Sequence, residues 1–167
     1  MTTETSSIRA LPRWEDLPNL DLYMDQVLTL SDQVLSPLNV KPITAAMINN
    51  YVKLKLIPAP VHKRYTRQHV AFILAIAILK DVFEIAQIRD GILLETSAME
   101  LKIAYNRFVS EVEQAMGWVE AQSHTPTPQA LFDPSVHPHP IMTLAALSFA
   151  AQRQAKALIS AQGASHD

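Results

Sequence analysis

TAAMINNYVKLKLIPAPVHKRYTRQHVAFILAIAILKDVFEIAQI, residues 44–88, is the stretch whose reading decides the fold. Thr44 stands where a side-chain oxygen caps a helix. Met47, Ile48, Tyr51, Val52 and Leu54 follow on an inward stripe, so a short helix is expected over 44–54. Pro58 and Pro60 forbid helix next, and KLIPAPVHKRYT reads as an extended excursion or small β-ribbon. Thr66 then caps TRQHVAFILAIAILK, a helix apolar on nearly every side and therefore expected at the centre. EIAQIRDGILLE is a further amphipathic helix, with Gly91 costing about 1 kcal/mol against Ala inside it.

Charge sets this stretch apart. Between Gln33 and Lys80 there is no Asp or Glu, yet the segment holds Lys41, Lys53, Lys55, Lys63, Arg64, Arg67 and Lys80. The other seven basic residues share the rest of the chain with all sixteen acidic ones, so a net charge of -2 conceals a basic island in an acidic protein. Such an island is the electrostatic footprint of a polyanion site, or a solvated face that lacks acids by chance.

Outward from the island, residues 1–18 read as a flexible lead with Trp14 and Leu17 as anchors. A helix is expected from Asn19 to Leu35, capped by Asn19 or Asp21. From Leu94 the residues Leu94, Ala98, Leu101, Tyr105, Phe108, Val112, Ala115 and Val119 repeat at alternating steps of four and three. That spacing keeps one stripe against a partner helix, in the same chain or in a second copy. Residues 123–140 are proline-rich and read as a stiff linker, with Leu131 and Phe132 able to pin it. A last helix is expected over 141–161, with Ile141, Leu144, Ala145, Ser148, Ala151, Ala155 and Leu158 on one face.

Composition excludes several classes. The chain of 167 residues has no cysteine and three glycines. Disulfide frameworks, thiolate metal sites and phosphate-cradling glycine loops are therefore absent. Glycine scarcity argues for an all-α fold rather than an all-β one. The longest apolar run, Val70 to Leu79, is too short for a bilayer, and the polar start lacks a secretory signal, so a cytoplasmic protein without membrane association is expected. No catalytic constellation has local support, so no enzyme and no cofactor are expected. His137-Pro138-His139 lacks the helical spacing of metal ligands, and no metal is expected there.

The order of pieces in 42–94 resembles the MerR-type winged helix-turn-helix. Met47-Ile48-Asn49-Asn50-Tyr51 stands where that family has its recognition helix with a tyrosine pair. Lys55-Leu56-Ile57-Pro58 matches its Gly-Leu-Ile-x-Pro step, Lys63-Arg64-Tyr65 its wing, and Val82 to Ile88 its last helix start. Asn49 and Asn50 depart from the family's arginine and first tyrosine. The whole chain also resembles a bacterial family known only as a domain of unknown function, through LPRWEDLPNLDLYMDQV and MINNYVK. The first resemblance implies an all-α fold with a small β-wing: a winged helix-turn-helix over 19–95, a possible dimerisation helix over 96–122, and the C-terminal helix beyond the linker.

It also implies double-stranded DNA as partner and a transcription regulator acting as a homodimer. Physical chemistry makes the same residues candidates. Asn49 and Asn50 suit base edges, adenine above all. Lys41, Lys53 and Lys55 flank the helix and neutralise phosphates, and Thr44 marks a helix N-terminus that favours an anion. His62, Lys63, Arg64 and Arg67 project from the wing and the next helix start. Leu101, Tyr105, Phe108 and Val112 are the candidate pairing residues. The rival reading is a protein-interaction module with the same fold and no specific DNA reading. A third needs a ligand pocket near Tyr105, Phe108, Met116 and Trp118; the sequence identifies no small-molecule effector.

Overall fold

The computed structural model describes residues 11–122 and 139–163. These form six α-helices: α1 (Met24–Leu35), α2 (Ala45–Lys53), α3 (Arg67–Leu79), α4 (Ile85–Ala98), α5 (Leu101–Gln122) and α6 (Pro140–Gly163), with short 3-10 turns at Trp14–Asp16 and Ser36–Leu38. The expected all-α class holds. The expected β-wing does not, because the described residues contain no strand, only isolated antiparallel bridges joining Val61 to Arg64 and Leu22 to Tyr65. Pro58 and Pro60 have no N–H to offer a ladder. Tyr65 exchanges its two backbone hydrogen bonds, both 2.8 Å, with Leu22 instead.

Helix α3 organises the rest. Val70, Ala71, Ile73, Leu74, Ile76, Ala77 and Ile78 are buried, while Phe72, Ala75 and Leu79 are half-buried along one side. It contacts α1, α5 and α6. Helix α2 contributes Ile48 and Tyr51 to the same core. Helices α5 and α6 form the most extensive pair. Leu101 and Tyr105 share a cavity wall with Ile141 and Met142, while Met116 and Glu120 share another with Arg153 and Ala157, so the two helices run parallel.

Four expectations about elements change. The first helix starts at Met24 rather than Asn19, because Leu22 is committed to Tyr65 and the Tyr23 N–H donates to Gln26 Oε1 at 2.9 Å, which closes the helix start one turn later. The lead is packed from Leu11 onward, with Leu11 and Leu17 buried; residues 1–10 lie outside the described residues. The seam from Leu94 is interrupted at Met99, whose backbone is extended (φ -152°, ψ 162°), so Leu94 and Ala98 belong to α4. Thr96 and Ser97 hydroxyls bond back to the Ile92 and Leu94 carbonyls, the competition that weakens a helix end. In α6 the buried face is Met142, Thr143, Ala146, Phe149 and Ala150, and Ile141 and Leu144 are exposed. The alanine-rich sequence offers two faces of similar polarity, and packing on α5 selects the one with Phe149. The linker expected over 123–140 falls outside the described residues up to 138, Leu131 and Phe132 with it; Pro140 opens α6, as suits proline at a first helical position.

The entry to α3 uses histidine as a cap. The Thr66 N–H donates to His69 Nδ1 at 2.9 Å, the place a Glu or Gln oxygen takes in a capping box. Since Nδ1 accepts, the ring is neutral and carries its proton on Nε2, which is buried beside the Pro58 and Ala59 backbone. Burial pulls the imidazole below its ordinary 6.5.

Two predictions follow from this packing. Above about pH 6.5 His69 is neutral both folded and unfolded; below it the unfolded chain takes up a proton that the folded chain resists, so stability falls as pH drops. Urea midpoints at pH 7.5 and 5.5 should differ in wild type, and His69→Gln, which keeps a capping acceptor but cannot titrate, should flatten the difference. Gly117 lies inside α5 with open space where a Cβ would stand. Gly117→Ala should raise stability by about 1 kcal/mol in the same unfolding assay.

Candidate nucleic-acid interface

Helix α2 is amphipathic in a way that separates two jobs. Ile48 and Tyr51 are buried, whereas Ala46, Asn49, Asn50 and Lys53 are exposed and fall at i, i+3, i+4 and i+7, one face of the helix. The Thr44 hydroxyl accepts the Met47 N–H at 3.2 Å, so the expected cap is in place and Thr44 itself is exposed. Burial pushes the phenol of Tyr51 upward, in keeping with its place in the core. Lys41 is exposed just before this helix.

The end of α2 is a Schellman motif. The Leu56 N–H reaches the Tyr51 carbonyl at 2.9 Å and the Lys55 N–H reaches the Val52 carbonyl at 3.0 Å. Lys55 occupies the left-handed position with φ 57°, where glycine is usual. A second tight reversal follows. The Arg64 N–H donates to the Val61 carbonyl at 2.9 Å, and His62 and Lys63 between them have φ 49° and 60°. Positive φ at both central residues is the type I′ hairpin pattern, where Asn-Gly is preferred. His62 and Lys63 are exposed at its tip.

The remaining cations are placed differently. The Arg64 guanidinium lies 3.9 Å over the Tyr23 ring and reaches the Asp21 carbonyl at 3.5 Å. Arg67 donates to the Pro18 carbonyl at 3.4 Å and stands 6.0 Å from the Trp14 ring. Lys80 pairs with Asp81 at 3.5 Å and is largely covered. Arg64 and Arg67, expected as DNA contacts, thus hold the 14–23 segment against the hairpin. Lys41, Lys53, Lys55 and Lys63 form no ion pair among the described residues. The island therefore presents four free lysines with Thr44, Asn49, Asn50 and His62, all exposed.

The 11–23 segment is anchored at its other end on α5. Arg13 donates to the Asn106 carbonyl at 3.0 Å and to Ser110 Oγ at 2.6 Å, and pairs with Glu113 at 2.6 Å. The Trp14 N–H donates to Asn106 Oδ1 at 2.7 Å. Hydrogen bonds from Lys102, from its own backbone and from Asn106 hold the exposed Glu15 carboxyl down to about 2. The sequence singles out Trp14 as an anchor, but sequence reasoning missed the pairings of Arg64 with Tyr23 and of Arg67 with Trp14, since no local spacing links them.

The candidate pairing residues prove to be internal. Tyr105, Phe108 and Val112 are buried within the chain, and Leu101 is half-buried. The Tyr105 hydroxyl donates to the Pro12 carbonyl at 3.0 Å, and the helix lies against α6. The chain's own elements thus cover the seam. Tyr105 and Phe108 do line a cavity, bounded by α3, α4 and α6, whereas Met116 and Trp118 do not. No group of three potential metal ligands occurs among the described residues. No helix among them is long and apolar enough to cross a membrane.

Residues 12–108 match a family described as "Domain of unknown function (DUF1836)". No curated protein and no solved structure matches the chain. The family match takes in the anchored segment, α1 to α4 and the first turns of α5, and so contains every residue of the candidate interface.

Lys55 supplies a direct test of its left-handed cap. Side chains in this conformation cost roughly 1–2 kcal/mol that glycine avoids. Lys55→Gly should raise stability by about 1 kcal/mol after glycine's larger unfolded-state entropy is allowed for, measured as a higher urea midpoint at unchanged slope.

Proposed function

The chain belongs to the DUF1836 family, and we propose that the family region in it is a DNA-binding unit of the MerR-like kind, acting in transcription regulation. One observation carries the reading. Four non-glycine residues have left-handed φ among the described residues, and three of them, Lys55, His62 and Lys63, are exposed members of the basic island. Left-handed backbone at non-glycine residues is tolerated where it serves a site. Here the strain falls on the side chains that would meet a polyanion, in turns where glycine would fold more easily.

The mechanism follows from the face of α2. With that face in the major groove, Asn49 or Asn50 reaches base edges, and amide side chains pair with adenine through two hydrogen bonds. Lys41 before the helix and Lys53 and Lys55 at its end neutralise flanking phosphates. The α2 N-terminus adds N–H groups and a favourable dipole end. The hairpin tip, His62-Lys63, clamps neighbouring backbone. Arg64 and Arg67 act on the protein side, holding the hairpin on the 14–23 segment. A second copy of the chain remains part of this reading, with its pairing surface outside the buried α5 seam.

A second reading has its own observation. Leu54 and Val61 are exposed apolar residues beside the lysines, which suits an interface with another protein. Salt separates the two. Binding of a random-sequence duplex, followed by fluorescence anisotropy between about 50 and 200 mM salt, should fall with a log–log slope of roughly -3 to -4 for four phosphate contacts. Lys53→Ala with Lys63→Ala should reduce that slope by about two and leave the unfolding midpoint unchanged. Salt-independent binding, or no duplex binding by a folded wild type, would favour the interaction module.

A further inference from the structure

The cavity bounded by α3, α4, α5 and α6 has a volume of about 420 Å³, within the range of small-molecule sites. Phe72, Ala75, Ile92, Phe108 and Met142 give it an apolar wall. The polar groups on that wall are mostly engaged. The Thr96 hydroxyl donates to the Ile92 carbonyl at 2.7 Å and the Ser148 hydroxyl to the Leu144 carbonyl at 2.8 Å. Gln87 Oε1 accepts the Glu84 N–H at 3.1 Å, and the Tyr105 hydroxyl turns away to Pro12. The carboxylate of Glu95 is the exception. Its side chain is 16% exposed, and its one partner among the described residues is His139 Nδ1 at 3.6 Å, beyond good hydrogen-bonding distance.

We propose that this cavity binds a hydrophobic cation: a small apolar molecule carrying one protonated amine, with its ammonium on Glu95 and its apolar body against Phe72, Ala75 and Phe108. A carboxylate at an apolar wall has lost much of its water, and an ammonium restores charge-assisted hydrogen bonds where the surroundings screen them weakly. A neutral ligand of the same shape gains only the apolar contact. An anion meets repulsion from Glu95. Ile141 and Leu144, both exposed, extend the apolar surface to the rim, so the ligand body covers area that water otherwise wets. Glu95 carries its own local signal in sequence: it follows Ile88 and Ile92 on one stripe of α4, where an apolar residue would continue the pattern. The proposal is independent of DNA reading.

The test uses three probes with one ring system: 1-naphthylmethylamine, 1-naphthalenemethanol and 1-naphthoate, titrated calorimetrically into the full chain. The amine should bind about tenfold more tightly than the alcohol, and the carboxylate should show no saturation. Glu95→Gln should bring the amine to the alcohol's affinity and leave the alcohol unchanged. Ala145→Phe, which narrows the cavity from α6, should weaken both; Ala75→Phe does the same from α3 if the first variant fails to fold. Equal affinity of amine and alcohol for wild type, or an amine affinity that Glu95→Gln leaves intact, would overturn the assignment. A wild-type dimer that Ala145→Phe converts to a monomer would also overturn it, with a second copy as the occupant.

Discussion

Helix α3 is apolar on nearly every side, and the rest of the molecule is arranged to cover most of it. Each buried Ile or Leu on it is worth about 1.5–3 kcal/mol relative to exposure. No single neighbour covers more than one side of a helix. Contacts from α1, α5 and α6 therefore cover most of it, the half-buried Phe72, Ala75 and Leu79 line the cavity on the remaining side, and the buried residues of α2 join the same core. One consequence reaches the candidate interface. Helix α2 packs through the buried Ile48 and Tyr51 with Met47 and Val52 beside them, which leaves the Asn49, Asn50 and Lys53 face to solvent.

The second constraint is the 11–23 segment, which ties α5 to the hairpin. At one end Arg13 and Trp14 grip Asn106, Ser110 and Glu113. At the other Leu22 pairs with Tyr65 and Tyr23 stacks under Arg64. The Arg13–Glu113 pair is partly shielded: Arg13 meets Glu113 Oε2, while the buried Oε1 has no hydrogen-bond partner among the described residues, so the arginine matters more than an exposed ion pair would. This segment takes two arginines out of the basic island and replaces the ribbon that a β-wing would have used. Tyr105 links it to the cavity: the hydroxyl holds Pro12 while the residue lines the apolar wall.

Elements with a strong local signal were legible. The Thr44 cap, the all-round apolar pattern of 67–79 and the prolines at 58 and 60 each carry enough information within a few residues to specify helix, buried helix and break. The exposed face of α2 was legible too, because helical spacing assigns sides without reference to partners. Weak or balanced signals misled. The Asn19 start lost to a backbone pairing with Tyr65, more than forty residues away. The α6 face could not be chosen among alanines before its neighbour was known. The seam through Tyr105 and Phe108 had the spacing of a helix pair, and spacing does not say which helix is the partner.

The sequence by itself determined an all-α protein, the position of its buried helix, and a stretch of lysines without a single acid among them. Those are properties of composition and short-range period, which act before the chain closes on itself. Only the tertiary structure decided which cations are free and which are braces, that Lys55, His62 and Lys63 sit in left-handed turns, that the α5 seam is internal, and that Glu95 faces an apolar cavity. The braces, the covered seam and the cavity depend on contacts between residues far apart in the chain; the left-handed turns close locally, but at residues whose type does not announce that backbone.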